Sequence, residues 1–276
     1  MILPYDDINP TERTPFVCWA LIAVNVILHG YLVMVLVPSV TPEALQQMRW
    51  SYEGCRPDVR LSGASVQQAY LFLIHLKYGL VPENLYPSTF LSSMFLHGGL
   101  GHLLGNMLFL WITGDNLEDR FGHTSFLGLY LLSGLAAAFA QVAVTGSDCR
   151  PMIGASGAIA GVMGGYLFLF PKSKIKILFF WFPLIHTFYI NAFWWLGLWI
   201  FFQVLSGSAV TSGGGVAYWA HIGGFAAGLG MAVVAWGLGW VEGGVNLRAQ
   251  RRTRDSKGGR SPGAPWEDDH RRRGPW

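Results

Sequence analysis

Ser156 lies in Gly154-Ala155-Ser156-Gly157, a small-residue turn at the mouth of an apolar stretch, and His221 lies in Ala220-His221-Ile222-Gly223-Gly224, inside another. Polar side chains within lipid-soluble segments are costly and tend to mark function. A serine oxygen is a weak nucleophile until a base takes its proton, and neutral imidazole, with a pKa near 6.5, is the usual base at neutral pH. Acyl transfer also needs donors for the tetrahedral oxyanion. His102 and Asn106 stand at i and i+4, on one helix face, and both can donate. The Ser156 backbone N–H, near a helix N-terminus, is unpaired within its helix and can join them. No Asp or Glu falls in the stretches that carry Ser156 and His221, so the expected unit is a Ser–His dyad doing peptide-bond chemistry inside a membrane.

Six runs are long enough to be read as spans of a hydrocarbon core, which takes ~20 residues: roughly 16–37, 93–113, 124–145, 154–170, 177–204 and 216–240. The second and fourth are the least apolar and are rich in Gly, His and Ser, as suits segments shielded from lipid. Gly154, Gly157, Gly161 and Gly164 share a face of the fourth run, and Gly224 and Gly228 lie on the sixth. Small residues at such spacing let helices approach closely in lipid, which would bring Ser156 within hydrogen-bond reach of His221. Between the first two runs, 41–64 reads as a polar loop. Residues 66–79 read as an amphipathic segment suited to the interface.

The 276 residues are 52% hydrophobic and only 13% charged, where a soluble domain would carry roughly 25% charged residues. The first run starts at Phe16 and lacks a small-residue cleavage site, so it reads as an anchor, not a signal peptide. Six spans put both termini on one side. Of the arginines and lysines, 14 fall on that side and 5 on the other, which places both termini in the cytoplasm. The tail decides this, since without it the loops divide 5 to 5. In that orientation Ser156, His221, His102 and Asn106 all fall nearer the outer face. The expected organisation is a cytoplasmic N-terminus over 1–15, a six-helix membrane domain over 16–240, and a polar basic tail over 241–276 that reads as disordered.

Four segments then resemble the rhomboid intramembrane serine proteases. The run from His97 through Gly101-His102 to Gly105-Asn106 looks like their HxxxxHxxxN segment, Gly154-Ala155-Ser156-Gly157 like their GxSG turn, and Ala220-His221-Ile222-Gly223-Gly224 like their AHxxG. Glu118-Asp119-Arg120-Phe121-Gly122 is similar to their ExRxG segment. The resemblance covers about 78–240. It implies an all-α, six-helix bundle with Ser156 as nucleophile, His221 as base, and His102 and Asn106 as oxyanion donors. It further implies cleavage of membrane-anchored substrates at or near a transmembrane segment. Two features depart from the pattern. Arg49-Trp50 reverses a pair often found in the first loop, and lies too far upstream. Ala160 also stands where some members carry an aromatic residue that stacks on the base, so His221 must be held by another group.

Taken singly, Ser156 could cap or pack a helix, and His102 and Asn106 could be interhelical hydrogen-bond partners. His97 is expected to fix the loop before the second run, and Glu118 and Arg120 to tie a helix end to its neighbours. His29, His75, His123 and His186 have no matching partners and read as packing or interface residues. The turn is not an α/β-hydrolase nucleophile elbow, since residue 158 is Ala and no strand precedes it. No metal site or organic cofactor is expected; the three cysteines have no ligand spacing, and Cys55 and Cys149, both outside, could pair or stand as separate free thiols. The expected partners are transmembrane protein substrates and the bilayer, with no nucleic acid, in a bacterial plasma membrane. Oligomeric state is left open. Residues 206–215, small and flexible, suit a lid, and the aromatic fifth run suits a gate toward lipid. A site of this kind opens outward, because hydrolysis needs water at membrane depth. The rival readings are a non-catalytic membrane protein of the same fold that binds transmembrane helices, and a transporter. The latter would carry ionised residues along a pathway, and runs four to six have none.

Overall fold

The computed structural model describes residues 2–41, 43, 66–146, 149–182, 184–209 and 216–243. Its elements in chain order are strand β1 (Ile2–Asp7) and helix α1 (Phe16–Tyr31), which continues as a π-helical turn (Leu32–Leu36). Helix α2 (Val66–Tyr78) follows, then the short α3 (Thr89–Ser92) and a 3-10 turn (Ser93–Phe95). Next come α4 (Leu100–Phe121), α5 (His123–Thr145) and α6 (Ser156–Leu169). Strands β2 (Lys174–Trp181) and β3 (Leu184–Asn191) lead into α7 (Ala192–Ala209) and α8 (Tyr218–Gly237).

Four of these are long and apolar enough to cross a membrane: Phe16–Leu36, α5, α7 and α8. The pair Thr89–Phe95 and α4 adds a fifth if its 95° bend is one broken span. The fourth expected run is a helix, but α6 has 14 residues, about 21 Å of rise, short of a hydrocarbon core. It is instead the centre of the bundle. Eleven of its residues are buried, and α8, α5 and α4 pack around it, as befits a helix that is apolar on every side.

Two boundaries are corrected. The second run, expected at 93–113, is helical over Leu100–Phe121 and sharply bent before it. Gly99 supplies the break, and the polar stretch around Asp115 and Glu118 stays helical because it is buried against the N-terminal segment. The fifth run, expected at 177–204, is a β-hairpin as far as Asn191, with Trp181 opposite Leu184, and a helix only from Ala192. The reason lies in the local pattern. Ile175 and Ile177 are fully buried while Lys174 and Lys176 point away, a period of two, and the β-branched and aromatic residues that follow suit a strand. A continuous apolar run does not distinguish the two by itself.

β1 pairs antiparallel with β2 and completes a three-stranded sheet. Lys176 and Asp6 form an ion pair across it. The N-terminal segment is also fastened to α4. Asn9 Nδ2 donates to Asn116 Oδ1 at 2.5 Å, and Asn116 Nδ2 donates to Asp7 Oδ2 at 3.1 Å. Glu118 is fully buried and accepts the backbone N–H groups of Val17 (2.9 Å) and Cys18 (2.7 Å). It thereby satisfies first-turn donors of α1, which no residue of its own sequence caps. Most of 41–64, Cys55 and the basic tail beyond Gly243 lie outside the described residues. The 66–79 segment is a helix, with Ala69, Leu73, Ile74, His75 and Leu76 buried.

Candidate functional site

Glycine packing determines how α6 and α8 meet. A Cβ at Gly224 would fall 2.0 Å from the Gly157 carbonyl oxygen, and one at Gly228 would fall 1.9 Å from that of Gly161. Only hydrogen fits at either position, so the two backbones run in contact. Ser156, the first residue of α6, and His221, in the first turn of α8, stand at the same end of this seam. The Ser156 Oγ and His221 Nε2 atoms are 2.8 Å apart.

His221 is held from its other side by α7. Its Nδ1 lies 2.7 Å from Gln203 Oε1, and its ring packs at 5.6 Å, tilted by 37°, on Trp199, which in turn stacks on Phe225. The aromatic support that Ala160 does not give from α6 therefore comes from α7. The Ala220 backbone N–H donates to Gln141 Oε1 on α5 at 3.1 Å, which anchors the start of α8.

The turn before Ser156 is pinned on two sides. Gly154 donates its N–H to the Ser93 carbonyl (2.9 Å), and Met152 exchanges both backbone bonds with Leu80 (2.8 and 3.0 Å). Gly154 adopts φ +122°, a conformation that residues with a Cβ rarely take. His102 lies against it. The Gly98 N–H donates to His102 Nδ1 at 3.3 Å, so Nδ1 accepts and the proton of neutral His102 sits on Nε2, free to donate. Asn106, one turn further along α4, has a buried amide nitrogen with no hydrogen-bond partner among the described residues. Two donors therefore lie on the face of α4 nearest the serine turn. Ser156 and His221 are half-buried and His102 is exposed.

His97 is buried beside this group, its ring edge-on to His102 at 5.1 Å and to His29 at 6.3 Å. Glu118 and Arg120 lie elsewhere, ~24 Å or more along α4 from His102. Glu118 caps α1 there, and the Arg120 guanidinium sits over the Phe170 ring at 5.5 Å. His29 is a packing residue, as expected, whereas His123 has a polar partner as well. His29 meets His97, and His123 Nδ1 lies 2.5 Å from Glu118 Oε1; both pairings join segments distant in sequence or across a helix end.

Sequence reasoning missed Gln203, Trp199 and Gln141. Gln203 carried a signal, being the one polar side chain in the aromatic run 193–205, where a polar residue invites a functional reading. Trp199 stands four residues before it, on the same helix face. Among the described residues, no group of three or more His, Cys, Asp or Glu is placed to hold a metal ion.

The Rhomboid domain profile matches residues 84–238. The chain is 35% identical over 114 residues to Rhomboid protein 1, mitochondrial, of Saccharomyces cerevisiae, across 38% of this chain and 32% of that protein. It is 38% identical over 77 residues to RHOMBOID-like protein 5 of Arabidopsis thaliana (28% and 25%). Over 79 residues it is 37% identical to Rhomboid protease GluP of Bacillus subtilis (29% and 15%). The matched stretches span a third or less of these relatives' length.

Proposed function

The chain belongs to the rhomboid family, and from that premise we propose that it is an intramembrane serine endopeptidase, hydrolysing peptide bonds in or next to transmembrane segments of membrane proteins. The observation that carries the reading is the 2.8 Å approach of Ser156 Oγ to His221 Nε2. The Ser156 hydroxyl donates to Nε2. As Oγ bonds to the scissile carbonyl carbon, its proton passes to Nε2 and the carbonyl electrons move onto oxygen. That oxyanion is received by His102 Nε2–H, the Asn106 amide and the Ser156 N–H. The imidazolium then protonates the leaving amine. Water, deprotonated by the same ring, releases the acyl group from Ser156.

A helical substrate hides its carbonyl in the helix ladder, so segments weakened by Gly or Pro near the outer interface are the favoured targets. The protein is an integral membrane protein. The distribution of arginine and lysine supports placing both termini in the cytoplasm.

The test is cleavage of a single-span substrate in liposomes by the wild-type protein, Ser156→Ala and His221→Ala. Cleavage by the wild type alone is expected. A wild type that binds transmembrane helices and cuts none across varied substrates would favour a non-catalytic helix binder. Continued cleavage by Ser156→Ala would remove Ser156 as nucleophile.

A further inference from the structure

We propose that Gln203 is a positioning residue for His221, holding the imidazole in the tautomer that can accept the Ser156 proton; this rests on the endopeptidase reading above. Oε1 of an amide has no hydrogen to give. At 2.7 Å from Nδ1 it must accept, so Nδ1 carries the ring proton. Nε2 is then left with its lone pair, 2.8 Å from Ser156 Oγ. The opposite tautomer would place an N–H against the serine hydroxyl and leave Nδ1 and Oε1 as two acceptors in contact. When the serine proton arrives on Nε2, the ring becomes a cation whose Nδ1–H still donates to Oε1. The amide orients that cation without neutralising it. Trp199, one turn before Gln203, fixes the plane of the ring.

Both groups stand on the least embedded of the helices around the site. Along α7 only Ala192, Leu196 and Gly207 are buried, while Trp194, Phe201, Phe202 and Leu205 face outward. The orientation of the base is therefore set by the helix freest to shift sideways. A displacement of α7 that widens the approach to Ser156 also withdraws the acceptor from Nδ1.

The experiment compares the wild type with Gln203→Leu and Gln203→Glu by two readouts. Ring ¹⁵N spectra of His221, assigned by their loss in His221→Ala, report the tautomer whether or not any substrate is cut. The pH dependence of kcat on a single-span substrate reports the base. The wild type is expected to show one tautomer with Nδ1 protonated, and Gln203→Leu a mixture with kcat lower by ~10-fold or more and KM little changed. Gln203→Glu, close in shape and fully able to accept, is expected to keep the tautomer and to move the acidic limb of kcat to higher pH by about one unit, because a carboxylate favours the imidazolium. A purely structural Gln203 would not move that limb. A single unchanged tautomer in Gln203→Leu, or an unmoved limb in Gln203→Glu, overturns the proposal. If the wild type cuts nothing, the endopeptidase reading falls, while the spectra still decide what Gln203 does.

Discussion

A Cβ placed on Gly154 would lie 2.8 Å from both Cε1 and Nε2 of His102. The turn that presents Ser156 is thus also the surface against which His102 rests, and the nucleophile and a candidate oxyanion donor are set by one backbone conformation. Gly154→Ala is expected to fail twice over, through strain at φ +122°, of order 1–3 kcal/mol, and through displacement of the imidazole. Cleavage should drop by roughly 10²-fold, the scale of losing one oxyanion donor. Wild-type kcat in this variant would show that His102 does not depend on the turn.

The lone amide of Asn106 leads to an unusual pairing of effects. A buried donor without an acceptor costs stability, and an apolar side chain of similar shape removes that cost. Asn106→Leu is therefore expected to unfold in detergent at the same temperature as the wild type or higher, while kcat falls by ~10²–10³. A variant that loses both stability and activity would mark Asn106 as an ordinary packing residue. His102→Ala should lower kcat on the same scale, and the double variant should lose less than the product of the two, since both donors serve one oxygen.

The α6–α8 seam gives a structural counterpart. Gly228→Ala would put a methyl group 1.9 Å from a backbone carbonyl oxygen of Gly161, and a backbone carbonyl does not rotate aside as a flexible side chain can. The helices must separate, at a cost on the order of 2 kcal/mol or more. Ser156 and His221 should separate with them. Gly230→Ala is the control, because a Cβ there meets nothing within 4 Å. Loss of melting temperature and activity in Gly228→Ala, with neither in Gly230→Ala, is the expected result; equal behaviour would remove the seam as the device that joins the dyad.

How much could be read beforehand varies by element. Phe16–Leu36 and His123–Thr145 follow the apolar runs almost residue for residue, because nothing competes with a long charge-free helix. The approach of Ser156 to His221 is legible for a similar reason: the glycines that allow it lie on the same two segments. The hairpin of β2 and β3 was hidden because its aromatic residues make an apolar run as continuous as a helix would. β1 was hidden because its partner lies about 170 residues away, and no local pattern announces such a pairing. Gln203 was obscured by its surroundings, where Trp199, Phe201 and Phe202 before it and Val204 and Leu205 after it read as a lipid face.

The N-terminal network predicts a pH dependence apart from catalysis. Asp7 is buried, and its Oδ2 accepts from Asn116 and from the Tyr166 hydroxyl. Burial is the main cause that raises its carboxyl to about 6, with Asp6 nearby adding to it, while the hydrogen bonds from Tyr166, Asn9 and Asn116 pull the other way. Because the folded value lies above the unfolded one, the folded state binds the proton more tightly. The associated stability is complete below the unfolded value of 3.8 and is lost as pH rises through about 6. Its full extent is on the order of 3 kcal/mol. Asp7→Asn keeps an oxygen to accept from Tyr166 and carries no charge, so it should melt higher than the wild type at pH 8, with the gap closing toward pH 4. Asp115, whose Oδ1 accepts from Asn116 at 3.0 Å, shares this network, so the difference between the two curves reports Asp7 together with its coupling to Asp115. Melting temperatures that run parallel from pH 4 to 8 would show that Asp7 does not take up a proton in this range.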